Sequence, residues 1–201
     1  MSKAEETKAR IIEQAASLFN QRGYAGVSMS DIMAATGLKK GGIYNHFENK
    51  DELAIAAFDF AVQRARQIHV QTLREQRGAI ARLKGMAASF VNAFEEISAM
   101  GGCPLLNTAI KSDDAHPVLR ERTQQAMDTW RNLIRRIVQK GIQAGDIRPE
   151  VNPDTVATIL IATLEGALML AKLYGDRTPM EQAKEHLDNY IEDLRLLLDS
   201  S

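Results

Sequence analysis

Apolar side chains recur at helical spacing along almost the whole chain. In residues 4–22, for example, Ile11, Ala15 and Leu18 fall on one side, and a repeat of three to four residues is typical of an amphipathic α-helix. No segment shows the sustained apolar–polar alternation of a β-strand. We therefore expect an all-α protein with about nine helices.

Helix start and stop signals divide this pattern into segments. Glycines such as Gly23 and Gly145 predict helix ends, because glycine readily leaves the helical conformation. Asn152-Pro153 and Thr178-Pro179 predict helix starts, because proline is favoured at the first helical position. The longer predicted helices run over residues 4–22, from the Asn49 cap to about Gly78, from Ile80 to the Gly101-Gly102 break, and over residues 117–144, 153–174 and 179–199.

Residues 28–50 carry two short helical segments joined by a turn. Ser28 and Asp31 have the spacing of a capping box, which predicts a helix from Met29 that ends at Gly37. A second helix, Lys40 to Phe47, is too short to be stable alone. Two such helices about a tight turn form a helix-turn-helix, whose second helix enters the major groove of DNA.

The second of these helices has an unusual composition. Gly41 and Gly42 lie near its start, where each costs roughly 1 kcal/mol relative to alanine. Such a cost is more easily tolerated where another molecule approaches the backbone. The donors that suit phosphates or base edges are Lys39, Lys40, Tyr44, Asn45 and His46. The alternative is an ordinary polar surface helix with a loose start.

These residues resemble the DNA-binding domain of the tetracycline-repressor (TetR) family of bacterial transcription regulators. The resemblance covers residues 22–53, with the RGY turn, the S-x-x-D-I start, the TGL turn, the G-x-I-Y-x-H-F helix and the N-K-x-E-L entry to the next helix. The rest of the chain agrees with the family in length and helical pattern. The resemblance implies a three-helix DNA-binding domain in residues 1–50 and a helical ligand-sensing and dimerisation domain in residues 51–201.

The resemblance and the side-chain chemistry together suggest which residues contact DNA. They are Ser28, Lys39, Lys40, Gly41, Gly42, Tyr44, Asn45, His46 and Lys50. Ser28, Tyr44, His46 and Lys50 would contact phosphates, residues 39–42 would face bases, and Asn45 can read adenine. Gly42 departs from the commoner family pattern of a small hydroxyl residue or alanine, which removes one possible base contact. The Tyr44 ring has a rival role in the core of the small domain.

The last two predicted helices suggest a homodimer. Residues 153–174 are apolar almost all round, and residues 179–199 carry a stripe that includes Leu187, Ile191 and Leu198. Such a pair can form a four-helix bundle with its symmetry mate, and the resemblance implies the same dimer. Two recognition helices would then read a palindromic operator. The alternative is ordinary burial within one subunit.

A ligand pocket is expected within residues 80–174. Its candidate lining residues are Met86, Phe90, Phe94, Trp130, Ile137, Leu164 and Leu168. By resemblance, a small-molecule inducer bound there would move the fourth helix and release DNA. The alternative is that these residues form plain core.

Cys103 is a candidate sensor of electrophiles or oxidants. It follows Gly101-Gly102 and precedes Pro104, and a helix start favours the thiolate form. The GCPLLNT segment looks like the G-C-x-x-x-N segment of a subgroup of the family in which some members sense such signals. Lys172, on an apolar helix, could approach this thiol. Alternatively, Cys103 is a small buried residue and Lys172 reaches solvent.

Composition and charge limit the cellular location and the mode of DNA binding that we expect. The net charge is −1, with +2 in residues 1–50 and −3 in the remainder, so DNA binding must rest on local placement and on doubling in a dimer. A single cysteine excludes an internal disulfide. The N-terminus lacks the apolar core of a signal peptide, and no run of 18 apolar residues appears. We expect a cytoplasmic protein with no membrane partner.

Catalysis, cofactors and metals have little support in the sequence. The four histidines are scattered, and no catalytic or phosphate-binding motif is present. Asp113, Asp114 and His116 are more typical of a solvated loop than of a metal site. We therefore expect a repressor that responds to a small molecule, an electrophile or an oxidant, with no cofactor. The alternative is a helical ligand- or thiol-sensing protein without sequence-specific DNA binding.

Overall fold

The structure, a computed structural model, describes residues 2–111 and 116–196, apart from the side chain of Gln71. Ten helices form in these residues, and they contain no strand. The helices are α1 Lys3–Arg22, α2 Met29–Thr36, α3 Lys40–Tyr44, α4 Lys50–Glu75, α5 Ala79–Asn92, α6 Phe94–Ala99, α7 Pro104–Lys111, α8 Pro117–Ala144, α9 Pro153–Tyr174 and α10 Thr178–Glu192. The predicted all-α fold is confirmed.

Short-range caps set many of the helix ends. At the start of α2, the Ser28 hydroxyl accepts the Asp31 N–H at 3.1 Å, and the Ser28 N–H donates to the Asp31 carboxylate at 2.7 Å. Gly37 ends α2 in the left-handed conformation, with φ 68° and ψ 14°, which glycine adopts without steric cost. Asn152 caps α9, and Pro153 is its first residue. These boundaries are those that the sequence predicts.

Three predicted helices end differently in the structure. The helix expected from Lys40 to Phe47 ends at Tyr44, with Asn45 as its C-cap. The helix expected from Ile80 to the Gly101 break is interrupted at Ala93, whose φ of −84° and ψ of 5° end α5, and this interruption separates α6. The helix expected to reach residue 199 ends at Glu192. Beyond it, the chain pairs with an earlier segment through an isolated bridge between Ile147 and Arg195. The Leu198 end of the predicted stripe lies outside the described residues.

The described residues pack into two compact units. Unit 1 comprises the residues up to Arg66 together with Ala99–Ala126. The buried side chains of its core are Ile11, Ala15, Ala16, Val27, Ile32, Ile43, Phe47, Leu53 and Ala57. Burial of one isoleucine side chain contributes roughly 1.5–3 kcal/mol, so Ile43 anchors α3, a helix too short to be stable alone.

Unit 2 comprises Gln67–Ser98 and the described residues from Met127 onward. In it, α10 packs on α9 and α5. Its largest fully buried side chains are Leu83, Ile134, Ile147, Leu160, Leu164, Leu168, Met180 and Leu187. This packing does not test the functional boundary predicted between residues 50 and 51, which stays a prediction.

By length and composition alone, α9 is apolar enough to cross a membrane. Of its most apolar 18-residue window, 44% is buried, and it supplies Val156, Leu160 and Leu164 to the core of unit 2. A core helix of this kind meets the same length and hydropathy criteria as a membrane span.

Candidate nucleic-acid interface and sensor residues

The helix α3 keeps one face in the core and turns the other outward. Ile43 is fully buried and Phe47, just beyond the helix, is 2% exposed. None of the nine predicted DNA-contacting residues is buried. Ser28, Lys39, Lys40, Gly41, Tyr44 and Asn45 are exposed, and Gly42, His46 and Lys50 are half-buried. The predicted donors are therefore accessible to a partner.

Packing within the protein does not require glycine at positions 41 and 42. A Cβ atom added at Gly41 would meet nothing within 4 Å, and one at Gly42 would lie in ordinary contact with Leu38, at 3.5 Å. Neither residue has a positive φ. Glycine in a helix costs roughly 1 kcal/mol, and the fold gives no steric reason for this pair; the close approach of an outside molecule at these positions stays a prediction.

Tyr44 lies on the outward face of α3. Its side chain is 39% exposed, and the Lys40 ammonium lies 5.5 Å from the centre of its ring. A cation over an aromatic ring is attracted to it, so the two side chains stabilise each other's position at the surface. Tyr44 is not among the buried side chains of the unit 1 core. A packing role for part of its ring is compatible with a phosphate contact by its hydroxyl, and that contact stays a prediction.

Ser28 serves first as a helix cap. Its hydroxyl donates to Asp31 Oδ2 at 2.5 Å while it accepts the Asp31 N–H. Hydrogen bonds from Ser28, and then the charge of Arg22, lower the pKa of Asp31. A phosphate contact by this hydroxyl would have to replace its bond to Asp31, and that contact stays a prediction.

Lys50 connects the start of α4 to the turn after α1. Its ammonium donates to the Tyr24 carbonyl at 2.7 Å and lies 4.0 Å from the centre of the Tyr24 ring. Burial lowers the pKa of Lys50. An ammonium has three N–H donors, so the predicted phosphate contact is compatible with this bond.

Sequence reasoning missed the polar cluster around Tyr24. The Tyr24 hydroxyl hydrogen-bonds to Asp51, and burial, followed by this bond, raises the pKa of Tyr24 to about 12. The buried His116 ring meets Tyr24 edge-on at 4.5 Å, and its Nδ1 accepts the Leu119 N–H at 3.2 Å. These contacts fix the starts of α4 and α8.

The sequence also places His116 close to Asp113 and Asp114, a combination that could bind a metal but is more typical of a solvated loop. Both aspartates lie outside the described residues. Among the residues that the structure does describe, no group of three His, Cys, Asp or Glu side chains is placed to hold a metal ion.

A second missed network holds the end of α1. The Asn20 amide donates to the carbonyls of Met100 and Gly102, at 2.7 and 2.9 Å. The Asn107 amide donates to Asn20 Oδ1 at 3.0 Å and to the Gly101 carbonyl at 2.9 Å. Gly101 and Gly102 have φ values of 96° and 108°, which disfavour other residues. No local pattern marks Asn20, because its partners are some 80 residues away.

Cys103 lies directly before α7 and is 7% exposed. Its carbonyl accepts the Asn107 N–H at 3.0 Å, so the thiol is carried at a helix start, as its sequence position suggests. Cys103 belongs to unit 1, whereas Lys172 belongs to unit 2 and is exposed. The approach of Lys172 to Cys103 stays a prediction.

The predicted pocket residues lie in the core of unit 2 or at its edge. Met86, Phe90, Phe94, Ile137, Leu164 and Leu168 are buried, and Trp130 is half-buried. The Phe90 and Trp130 rings stack, with their centres 6.0 Å apart. This arrangement suits both a plain core and a wall for an aromatic ligand, so the pocket stays a prediction.

His69 extends this aromatic stack and was missed by sequence reasoning. Its ring stacks on Phe90 at 5.7 Å, and its Nδ1 lies 2.9 Å from Ser89 Oγ. Because the Ser89 hydroxyl donates to the Met86 carbonyl, it must accept from His69, which places the proton on Nδ1 and leaves Nε2 as an acceptor. Burial lowers the pKa of His69 to about 4, so the ring is neutral near pH 7.

A helix-turn-helix with an accessible second helix, followed by a larger helical domain, defines a DNA-binding transcription regulator. Residues 11–57 match the family described as "Bacterial regulatory proteins, tetR family". Residues 79–187 match "Tetracyclin repressor-like, C-terminal domain". The chain therefore belongs to the TetR family of transcriptional regulators, a class that controls transcription rather than catalysing a reaction.

Solved structures and a curated relative agree with this assignment. A TetR transcriptional regulator from Chloroflexus aurantiacus is 49% identical, with a TM-score of 0.93 and coverage of 98% of this chain and 100% of that one. A TetR-family regulator from Cytophaga hutchinsonii is 34% identical, with a TM-score of 0.87 and coverage of 98% and 99%. The HTH-type transcriptional repressor DhaR of Mycobacterium sp. is 26% identical over 87% of each chain.

Proposed function

We propose that this regulator is a cytoplasmic homodimeric repressor that binds a palindromic operator and releases it on a small-molecule, electrophile or oxidant signal. The observation that carries the proposal is the outward face of α3. Lys39, Lys40, Tyr44 and Asn45 are exposed beside a glycine pair that the fold does not require. The DNA-binding function is assigned to residues 1–50, and sensing and dimerisation to residues 51–201. The repressing direction is supported by the relative DhaR, which is described as a repressor.

The exposed end of α9 supports the homodimer. Met169 and Leu170 are 52% and 40% exposed, and Leu173 and Tyr174 are 71% and 72% exposed. A contiguous exposed apolar surface of this kind marks an interaction site. One helical turn earlier, a Cβ atom at Gly166 would meet nothing within 4 Å, which leaves room for a second helix to approach. We assign this surface, with α10, to the twofold interface.

Selection of binding sequences from a random duplex library tests the DNA function. The full-length protein should enrich a palindrome, because a twofold dimer presents two copies of α3 to two half-sites. Lys40→Ala and Tyr44→Ala should lose the enrichment, while Lys140→Ala, on α8, should keep it. If the wild-type protein enriches no sequence, the chain is a ligand- or thiol-sensing protein without specific DNA binding.

The signal is assigned either to the aromatic residues of unit 2 or to Cys103. Mass spectrometry after mild hypochlorite treatment of the DNA complex separates the two. Thiol sensing predicts that Cys103 is oxidised as DNA is released, and that Cys103→Ser stays bound under the same treatment. Release of DNA with an unmodified Cys103 would exclude the thiol as the sensor.

A further inference from the structure

We infer that unit 1 contains a small-molecule site of its own, between α1, α4 and the Gly101-Gly102 turn, which takes a compact uncharged aromatic molecule. A cavity of about 260 Å³ opens there. The lining residues that matter are Glu13, Ser17, Asn20, Phe60, Arg64 and Met100. None of the seven pocket residues predicted for unit 2 is among its lining residues, so this is a second site.

The charges at the cavity select against a charged ligand. Arg64 and Glu13 line it together, and their side chains form an ion pair with Nη1 and Oε1 3.6 Å apart. The two formal charges cancel, so an additional ammonium or carboxylate would enter without a matching opposite charge. Both side chains are partly exposed, at 43% and 56%, so solvent screens the pair and the preference for an uncharged ligand is modest. An uncharged hydroxyl can hydrogen-bond to polar lining groups such as the amide of Gln14, which also lines the cavity.

The size and the apolar wall favour a single aromatic ring. Drug-sized ligands occupy roughly 300–1,000 Å³, and this cavity is slightly smaller than that range. Phe60 offers a ring face or edge, and the thioether of Met100 makes favourable contacts with aromatic rings. Phenol combines an apolar ring with one hydroxyl and is smaller than the cavity, because a cavity of about 150 Å³ already holds benzene, so it serves as a minimal probe.

Because of its position, a ligand bound in the cavity can affect the DNA-binding helices. Ala16 belongs both to the cavity wall and to the core that anchors α3. Asn20 lines the cavity and holds the Met100 and Gly102 carbonyls. A ligand bound between these groups would change the distance between α1 and residues 99–104. This coupling rests on the proposed DNA-binding function, whereas the binding of the ligand does not.

Calorimetric titration of the full-length protein with phenol tests the site itself. Phenol should bind saturably, and benzoate, its charged counterpart, should bind more weakly. Ala61→Phe fills the cavity and should lower phenol affinity by about tenfold or more. Ala65→Phe, on the same helix but outside the cavity lining, should leave it unchanged. Ser17→Leu, at an exposed position on the rim, gives a second filling variant if Ala61→Phe fails to fold.

Three results would overturn the site: no saturable phenol binding, equal binding of benzoate, or full binding by whichever filling variant folds. The coupling is tested on the selected duplex. Phenol and the filling variant should change the Kd for DNA in the same direction, by roughly fivefold or more, as is usual for allosteric coupling. Normal DNA binding that phenol does not alter would refute the coupling. Absence of specific DNA binding would refute the proposed function and leave the phenol titration as the test of the site.

Discussion

The half-buried His69 makes the stability of this protein depend on pH in a defined direction. Burial lowers the pKa of His69 from 6.5 to about 4 in the folded state. An unfolded chain would therefore bind a proton on this ring at a higher pH than the folded protein does. Stability from this group is complete above about pH 6.5 and is lost as the pH falls from there towards 4.

The size of the effect follows from the same two values. The full difference is worth about 3 kcal/mol, since one pKa unit corresponds to about 1.4 kcal/mol. Most of it, about 2 kcal/mol, is lost by pH 5, where an unfolded histidine is almost fully protonated and the ring in the folded protein is still neutral. Against a typical total of about 5–15 kcal/mol for a folded protein, this is readily measured.

Urea unfolding at pH 7 and pH 5 provides the assay, at one fixed protein concentration because the stability of the proposed dimer would depend on it. The wild-type protein should lose about 2 kcal/mol more than His69→Gln between the two pH values. His46→Gln, which changes a half-buried histidine outside the proposed dimer interface, should behave like the wild type in this DNA-free assay. If His69→Gln keeps the full pH dependence, the inference that His69 is held neutral by burial is wrong.

Three further predictions concern caps, the Asn107 network and the dimer. Ser28→Ala removes the α2 capping box and should lower the unfolding free energy by about 1 kcal/mol, whereas Ser30→Ala should leave the unfolding free energy unchanged. Equal unfolding free energies for the two variants would argue against the cap. Asn107→Ala leaves Asn20 Oδ1 without its donor and should cost roughly 1–3 kcal/mol in thermal unfolding; an unchanged Tm would contradict the network. Leu173→Glu should make the protein monomeric in sedimentation, because an unpaired buried charge costs about 3 kcal/mol or more. Ile110→Glu, at an exposed apolar position in unit 1, should stay dimeric, and a dimeric Leu173→Glu would rule out the proposed interface.

The features that could be predicted from the sequence are those whose partners are close along the chain. Ser28 and Asp31 are three residues apart, and Asn152 caps the N–H groups of the next few residues, so their spacing alone defines a helix start. The end of α10 could not be predicted in this way. Its sequence stays helical in pattern beyond Glu192, but Leu196 donates to the Asp146 carbonyl at 3.2 Å, and that competing partner comes from a segment 50 residues earlier.

In the candidate DNA surface, too, the features that could be predicted depend on residues close along the chain. The exposure of Lys40 and Tyr44 can be predicted from their position around Ile43 on one helix. The contacts of Asn20 and His69 depend on chain segments brought together by folding, and each residue alone resembles an ordinary polar position in an amphipathic helix. Sequence spacing therefore predicts which side chains α3 exposes, but it does not predict the Asn20 and His69 networks.

Fluorescence anisotropy on the selected duplex and on a scrambled duplex tests the central claim most directly, with salt varied and stoichiometry recorded. We predict two protomers per selected duplex, a preference over the scrambled duplex of about 1,000-fold or more, and a large loss of that preference in Lys40→Ala. Equal affinity for both duplexes at every salt concentration, with no effect of Lys40→Ala, would contradict the assignment of α3 as the element that reads DNA.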